Sequence, residues 1–468
     1  IPPSSRLALA GADVIANLSA SPDQIGKYGY LRSLIARQSG SCVCGYVYAS
    51  AGWGESSTDL VFDGKAIIAE NGTVLAANPR WTPAENISVA DLDIEALRRD
   101  RMHMTTFADC AAREWVSDTD TITAPKGKEF EYAEDEPLIR RIDPRPFVPA
   151  DLDDRADRCD EIFNIQAAGL AKRLSAIGCK TLVVGISGGL DSTLALLVAV
   201  KAFDRLGLPR TGIVGITMPG FGTTSRTHDN AVDLMRELGV TSMEIPIGPS
   251  VLRHFEDIGQ DPDNHDVTYE NGQARERTQI LMDVANKLGG IVLGTGDLSE
   301  LALGWATYNG DHMSMYGVNA GVPKTLVKHL VHHVAVTHPE GSETRRLLLD
   351  IVDTPISPEL LPAAKDGEIL QKTEDLVGPY ELHDFYLYYM LRYGFPPERM
   401  LWLARHAFGK DEYDDATLRK WLDVFMRRFF QQQFKRSCLP DGPKVGSVCL
   451  SPRGDWRMPS DASSALWR

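Results

Sequence analysis

The chain has 468 residues, 43% of them apolar, which is enough for roughly two or three domains with substantial cores. Its formal net charge of −15 argues against a general nucleic-acid-binding protein and favours a protein that handles small molecules. No apolar stretch reaches the length of a membrane span and none resembles a signal peptide, so we expect a cytoplasmic protein without membrane or nucleic-acid partners.

The first quarter of the chain is predicted to form short strands separated by turns. Ala12–Leu18 and Cys42–Ala49 are strand-like apolar runs, and we interpret the cysteines of the second run as small packing residues. Asn71-Gly72 between two further short runs predicts a hairpin turn. Val89–Met104 predicts a strand that leads into a charged helix.

Strand and helix patterns alternate from Leu152 onward, after a polar, proline-rich stretch that we interpret as a linker over residues 123–151. Such alternation predicts an α/β fold with a doubly wound parallel sheet, whose ligands bind beyond the carboxyl ends of the strands. Val377–Lys435 is predicted to be mostly helical. The predicted elements are helix Ile162–Ile177, strand Leu182–Ile186, strand Ile213–Met218, helix Thr227–Leu238, strand Ser242–Pro246, helix Arg275–Lys287 and strand Gly290–Gly294.

The most informative motif is Ser187-Gly-Gly-Leu-Asp-Ser192, which lies between a buried-strand pattern and a helical pattern. Glycines allow a phosphate to approach the backbone closely, and the N–H groups and dipole of a helix N-terminus favour an anion. Asp191 and Ser192 add a potential metal ligand and a hydroxyl donor. The motif lacks the lysine of a Walker-type loop, and the alternative is an ordinary tight turn.

A second strand, glycine turn and helix start follow in Gly294-Thr-Gly-Asp-Leu-Ser-Glu300. Because this turn also follows a strand of the parallel sheet, we expect Glu300 at the same edge as Asp191. Magnesium in ATP sites prefers one or two carboxylates together with phosphate oxygens. The alternative is that Asp297 and Ser299 only cap a helix.

These motifs resemble the pyrophosphate loop of N-type ATP pyrophosphatases, and more specifically the NAD synthetase family. Residues 152 to about 456 resemble the synthetase domain of that family. Residues 1 to about 122 resemble the second half of the nitrilase-type glutaminase domain of its glutamine-dependent members. The resemblance implies a partial nitrilase-like αββα domain over residues 1–122, the linker, and a synthetase domain over residues 152–468.

The resemblance implies ATP and Mg²⁺ as cofactors, with Asp191 and Glu300 as the metal ligands. For Lys324 and Ser357 the residues alone would favour a solvated surface position. The implied ATP-binding residues are Gly185, Ile186, Ser187, Gly188, Gly189, Leu190, Asp191, Ser192, Thr295, Lys324 and Ser357.

The resemblance also implies a site for deamido-NAD. Arginine suits this task because its planar fork binds phosphate or carboxylate with two hydrogen bonds. The alternatives are a solvated helix start for the arginines, core packing for the aromatic pair and a surface position for Lys435. The implied residues are Asn271, Arg275, Arg277, Glu300, Trp305, Ala306, Thr307, Tyr308 and Lys435.

The implied reaction is an ATP-dependent amidation of deamido-NAD to NAD through an acyl adenylate, with release of pyrophosphate and AMP. The nitrogen donor of the complete protein would be glutamine. Ser21 matches a glutamine-binding position of the family, and Lys27 stands at another, where the family often has arginine. The Glu–Lys–Cys triad of nitrilase-type glutaminases is not in this sequence, so we expect the chain as given to use ammonia.

Two other functions stay open at this point. One is a different pyrophosphate-loop ligase, such as a GMP synthetase, and the other is a non-catalytic nucleotide-binding remnant. The resemblance further implies a homo-oligomer, a dimer or larger.

Overall fold

The structure is a computed structural model that describes residues 2–56, 58–84, 86–113, 122, 138–223, 225–354, 377–409 and 411–467. By its internal contacts the chain divides into two compact units, Ile1–Ile142 and Asp143–Arg468. We call them unit 1 and unit 2. None of the helices in these described ranges combines the length and apolarity that a membrane crossing requires.

Unit 1 is built on a four-stranded sheet of order β1-β2-β3-β4, in which β1 and β2 are parallel and the other neighbours antiparallel. Its core includes the buried side chains of Cys42, Cys44 and Ile67. The elements are α1 Pro3–Leu9, β1 Val14–Ser19, α2 Lys27–Cys42, β2 Gly45–Ser50, β3 Ala66–Glu70, β4 Thr73–Ala77, α3 Ile94–His103 and α4 Thr105–Arg113.

The predicted hairpin of unit 1 is confirmed. Asn71 and Gly72 connect β3 to β4 with φ values of 44° and 93°, the left-handed pair that a tight hairpin turn needs. The predicted strand Cys42–Ala49 is partly wrong, because Cys42 still belongs to α2. Val43, with φ 46°, ends that helix in the left-handed region, and the strand starts only at Gly45.

Unit 2 contains a five-stranded sheet of order β7-β6-β5-β8-β9 in which every pair is parallel, as the sequence predicts. Its strands are β5 Leu182–Gly185, β6 Ile213–Thr217, β7 Thr241–Glu244, β8 Ile291–Gly294 and β9 Tyr316–Gly317. Its helices are α5 Leu152–Ile177, α6 Leu190–Leu206, α7 Ser225–Leu238, α8 Gly248–Ile258, α9 Val267–Leu288, α10 Leu298–Leu303, α11 Lys324–Thr337, α12 Glu343–Val352, α13 Tyr380–Tyr388, α14 Pro397–Ala407, α15 Asp415–Gln431 and α16 Gln433–Arg436.

Helices cover both faces of this sheet. Alternate residues of β5 point to opposite faces, so Leu182 and Val184 pack into one apolar cluster and Val183 into another. The first cluster contains side chains of α5, α6 and α11, and the second contains side chains of α8 and α9. The continuous apolar run of β5 is therefore buried on both sides, which is the arrangement of a doubly wound sheet.

Two helices begin eight or ten residues earlier than the sequence pattern indicates. Helix α5 starts at Leu152, because the Asp151 carboxylate accepts hydrogen bonds from the first free N–H groups. Helix α9 starts at Val267 rather than Arg275, and Asp266 caps it in the same way. Helix α11, which begins at Lys324 directly after Pro323, is not among the elements that the sequence predicts.

Candidate active site

The loop between β5 and α6 is held in shape by its own hydroxyl groups. Gly189 N–H donates to Ser187 Oγ at 3.2 Å, and Ser192 Oγ donates to the Gly189 carbonyl at 3.1 Å. Gly188 has φ +85°, and a Cβ there would lie 2.1 Å from the Thr227 carbonyl oxygen. Only glycine fits this position, because the backbone has a positive φ and there is no space for a side chain.

The turn between β8 and α10 is a capping box. Asp297 Oδ1 accepts the Glu300 N–H at 2.8 Å, and Glu300 Oε2 accepts the Asp297 N–H at 3.3 Å. Because β8 pairs in parallel with β5, this turn and the Ser187–Ser192 loop lie at the same edge of the sheet. The expected meeting of Asp191 and Glu300 at one edge is confirmed.

Lys324 joins the two turns. Its Nζ lies 2.7 Å from Asp191 Oδ2, 2.6 Å from Asp297 Oδ2 and 2.9 Å from Glu300 Oε1. The three carboxylates offer oxygens within 4.8 Å of one another, an arrangement that could hold a metal ion. Asp297, which the sequence marks only as a cap, is thus also a member of this group, which we call the carboxylate cluster.

The charges of the carboxylate cluster do not balance. Burial raises the pKa of Asp297, and it raises that of Glu300 to about 7. Burial alone would lower the pKa of Lys324, but the surrounding carboxylates outweigh it and raise this pKa. Asp191 Oδ1 is buried without a hydrogen-bond partner in the described part of the chain. One ammonium among three carboxylates leaves room for further positive charge.

Two buried amides tie the turns together. Asn319 Nδ2 donates to the backbone oxygens of Asp191 at 2.9 Å and of Thr295 at 3.0 Å. Gln166 Nε2 donates in turn to Asn319 Oδ1 at 3.0 Å. These supporting residues are absent from the sequence prediction. Their partners lie far away along the chain, so no local pattern indicates them.

Asp384 of α13 joins the starts of α10 and α11. Its carboxylate accepts hydrogen bonds from Ser299 Oγ, from Thr325 N–H at 3.1 Å and from Thr325 Oγ1 at 2.7 Å. The Lys324 N–H donates to Ser299 Oγ at 2.8 Å. Sequence reasoning missed Asp384 as well, since it lies in an ordinary helical pattern.

Helix α9 lies against the 305–308 stretch, which brings together four of the residues expected at the dinucleotide site. Thr307 Oγ1 donates to Asn271 Oδ1 at 2.7 Å, and Arg275 Nε donates to the Tyr308 carbonyl at 3.3 Å. Arg275 is otherwise exposed and retains donors for a ligand. Arg277 lies elsewhere on α9, beside Gly220 in the loop after β6.

Lys435 holds the backbone of the same stretch. Its Nζ donates to the carbonyls of Gly304 at 2.8 Å and Ala306 at 2.6 Å. The Trp305 ring lies under the Arg428 guanidinium, 5.1 Å from its carbon. The Tyr308 ring lies 5.1 Å from the His312 ring and 5.3 Å from the Phe434 ring. Arg428, His312 and Phe434 are neighbours that the sequence did not indicate.

The two residues expected to bind glutamine lie in unit 1, between β1 and the first turn of α2. Lys27 starts α2, and its Nζ donates to the Pro22 carbonyl at 2.5 Å. Ser21 is half-buried just after β1. Ser357, expected at the ATP site, lies outside the described residues.

A buried ionic cluster follows these residues in unit 1. Lys65 Nζ lies 2.7 Å from Asp23 Oδ2 and 2.6 Å from Asp63 Oδ1, with its side chain fully buried. Arg80 bonds to both of these carboxylates. Burial by itself raises the pKa of Asp63, but the hydrogen bonds from Lys65 and Arg80 lower it to about 2.

Comparison with known proteins agrees with this architecture. The NAD synthase family model matches residues 162–388. The chain is 47% identical to the glutamine-dependent NAD(+) synthetase of Mycobacterium tuberculosis, over 100% of this chain and 72% of that protein. It is 28% identical to the enzyme of that name from Aquifex aeolicus, over 97% of this chain and 71% of that protein.

A solved structure shares the fold. The crystal structure of a glutamine-dependent NAD(+) synthetase from Cytophaga hutchinsonii aligns with a TM-score of 0.52 at 18% identity, over 97% of this chain and 70% of that chain. Both this match and the match to the mycobacterial protein extend over residues of both units. The chain belongs to the glutamine-dependent NAD(+) synthetase family.

Proposed function

We propose that the edge of the unit 2 sheet activates the nicotinate carboxylate of deamido-NAD with ATP, in the amidation that forms NAD. The family to which the chain belongs performs this ATP-dependent reaction, with glutamine as the nitrogen donor of the full protein. The observation that carries the assignment to particular residues is the meeting of Asp191, Glu300 and Lys324 beyond two adjacent parallel strands.

The carboxylate cluster fits Mg²⁺, the cation that accompanies ATP. All its donors are oxygens, which Mg²⁺ prefers, and Asp191 Oδ1 is a buried carboxylate oxygen without a partner among the described residues. Asp191 and Glu300 would hold the ion. The bound metal would neutralise the pyrophosphate that leaves when ATP is cleaved.

The loop residues would bind the phosphates themselves. The N–H groups of Gly188 and of the first turn of α6, together with the hydroxyls of Ser187 and Ser192, would form an anion site. Lys324 would contribute its positive charge to the phosphates when a divalent ion takes over the neutralisation of the carboxylates. Charge stabilisation of this kind requires no protein nucleophile.

Asn271, Arg275 and the 305–308 stretch would orient deamido-NAD. Its carboxylate oxygen then attacks the α-phosphorus of ATP and pyrophosphate leaves with its bonding electrons. Ammonia attacks the acyl carbon of the adenylate, loses a proton and displaces AMP. The protein's tasks are to align two anions and to keep water from the adenylate.

Two structural assignments from the family resemblance remain proposals. We propose that residues 152–468 form the synthetase domain and residues 1–122 the glutaminase part. We also propose that the chain assembles into a dimer or a larger homo-oligomer, which sedimentation equilibrium would test.

The experiment is an acceptor comparison. The purified chain is incubated with ATP, Mg²⁺ and ammonium chloride, with either deamido-NAD or XMP, and NAD, GMP and AMP are quantified. We expect equal amounts of NAD and AMP from deamido-NAD and no product from XMP. Asp191→Asn should abolish AMP release, whereas Asp204→Asn, an exposed change on the same helix, should not. Product from XMP, or ATP binding without AMP release, would contradict the proposal.

A further inference from the structure

The carbonyl groups at the end of α10 are held by three cationic side chains. Helix α10 has six residues, carries Glu300 in its first turn and leads into the 304–308 stretch. Such a short helix is not stable without tertiary contacts. The hydrogen bonds run from Arg436 Nη1 to Leu301 O at 3.1 Å and Ala302 O at 2.9 Å, from Arg428 Nε to Leu303 O at 3.0 Å, and from Lys435 Nζ to Gly304 O at 2.8 Å and Ala306 O at 2.6 Å.

None of these three cations forms an ion pair with a carboxylate in the described ranges. Burial lowers the pKa of Arg428 and of Lys435, and it lowers the pKa of Arg436 to about 9. The cost of burying them is offset by the backbone carbonyls and by the negative end of the α10 dipole. The buried Asp311 carboxylate attracts Lys435, whereas no carboxylate among the described residues acts in this way on Arg428 or Arg436. The positive charge of Arg428 therefore remains available to an anion bound beside the 304–308 stretch.

Arg428 also fixes a side chain of that stretch. Its guanidinium carbon lies 5.1 Å from the centre of the Trp305 ring, a cation–π contact, while its Nε bonds to the last residue of α10. The Arg428 side chain thus holds both the last residue of α10, the helix that carries Glu300, and the ring of Trp305. The preceding residue, Arg427, is exposed and provides a matched comparison on the same helix.

We propose that Arg428 is a positioning residue for the dinucleotide substrate. It acts through Trp305 and the Leu303 carbonyl and adds positive potential for the anionic pyrophosphate and carboxylate of deamido-NAD. The inference rests on the proposed function, because it takes the 305–308 stretch as the dinucleotide side of the site. The proposed ATP site lies at the start of α10, at the carboxylate cluster, whereas Arg428 contacts the last residue of this helix.

The test compares Arg428→Met, Arg428→Lys and Arg427→Met in the full chain. We expect Arg428→Met to raise the KM for deamido-NAD by about tenfold or more, the effect of losing a charge-assisted hydrogen bond and a cation–π contact. The KM for ATP should stay within about twofold, a change of only about 0.4 kcal/mol. Arg428→Lys should recover most of the affinity, because an ammonium can also donate to Leu303 and lie over Trp305. Arg427→Met should match the wild type.

Calorimetric titration of deamido-NAD without ATP gives a second readout that does not require turnover. Weaker binding by Arg428→Met, with the lysine variant restored, supports the inference. Equal rises in both KM values, unchanged deamido-NAD binding, or a lysine variant as poor as the methionine variant would overturn it. If the wild type itself forms no NAD, the proposed function fails instead, which separates the two outcomes.

Discussion

Lys324 and Asp191 are separated by 133 residues, yet the Lys324 ammonium lies 2.7 Å from the Asp191 carboxylate. Asp191 belongs to the first turn of α6 and Lys324 is the first residue of α11. The parallel pairing of β5 with β8 brings the turns that follow these strands to one edge, where Asp297 and Glu300 join the same ammonium. The Lys324 ammonium thus occupies a position among three carboxylates that a divalent cation would also occupy.

Lys324 should therefore compete with metal ions. We expect Lys324→Met to bind Mn²⁺ at least about tenfold more tightly in the absence of ATP, since a unit charge about 4 Å away contributes several kcal/mol even at an effective dielectric of 20. Water-proton relaxation measures this affinity directly. Lys328→Met, an exposed lysine of the same helix, is the control. Unchanged or weaker Mn²⁺ binding by the Lys324 variant would show that the ammonium does not occupy the cation position.

Gly188→Ala should disable the phosphate loop. A Cβ at this position would lie 2.1 Å from the Thr227 carbonyl, so the loop has to move and its N–H groups lose their alignment. We expect the Kd for ATP to rise by about a hundredfold, about 2.7 kcal/mol, as measured by equilibrium binding. Gly178→Ala serves as the comparison, because its φ is also positive, +66°, but nothing lies within 4 Å of the new Cβ. If Gly188→Ala bound ATP as tightly as Gly178→Ala does, the close approach to Thr227 would not be what ATP binding requires of this glycine.

Lys65→Met should destabilise unit 1. The variant leaves Asp23 and Asp63 buried with only Arg80 to neutralise them. Breaking a buried ion pair from one side costs about 3 kcal/mol or more of the free energy of unfolding. Urea titration followed by hydrogen exchange at the Ala66–Glu70 amides should locate the loss in β3. Arg37→Met, an exposed change in α2, should leave these amides protected, and a similar loss in both variants would refute the assignment.

Acid should destabilise unit 2 partly through His383. Its imidazole is buried and donates from Nε2 to the Val377 carbonyl at 2.8 Å, and burial lowers the pKa of His383 to about 4. Because the unfolded histidine has a pKa near 6.5, the unfolded state takes up the proton first as the pH falls. The stabilisation is complete above about pH 6.5, and about 2 kcal/mol of it is lost by about pH 5.

Replacing His383 by Gln should flatten this dependence, since glutamine retains a donor for Val377 and does not titrate in this range. The free energy of unfolding is measured between pH 5 and pH 7 for this variant and for His406→Gln, an exposed control. We expect the slope to decrease only for the His383 variant. Parallel curves for all three proteins would exclude His383 as a source of the acid sensitivity.

The sequence predicts those parts of the site whose structure is determined by residues close together along the chain. Glycine spacing after a buried strand predicts the Ser187–Ser192 loop, and strand–helix alternation predicts the sheet that brings Asp191 to Glu300. The supporting residues have no local signal. Asn319 and Asp384 act through partners distant in sequence, which only the tertiary structure selects.

Hydrophobic periodicity predicts the wrong helix start where a capping residue begins the helix earlier. The amphipathic stripe of α9 is clear only from Arg275, whereas the Asp266 cap starts the helix at Val267. Helix α2 has little amphipathic pattern and two internal glycines, so its sequence does not favour a helix. Its packing against the unit 1 sheet supplies the stability that propensity does not.

The most direct test follows an oxygen atom. Deamido-NAD carrying ¹⁸O at both oxygens of its nicotinate carboxylate is converted with ATP, Mg²⁺ and ammonium chloride, and the AMP and pyrophosphate are analysed by mass spectrometry. If the carboxylate cluster presents the α-phosphorus of ATP to this carboxylate, one ¹⁸O atom appears in each AMP formed and none in pyrophosphate. AMP without the label, or label in pyrophosphate or inorganic phosphate, would contradict the account.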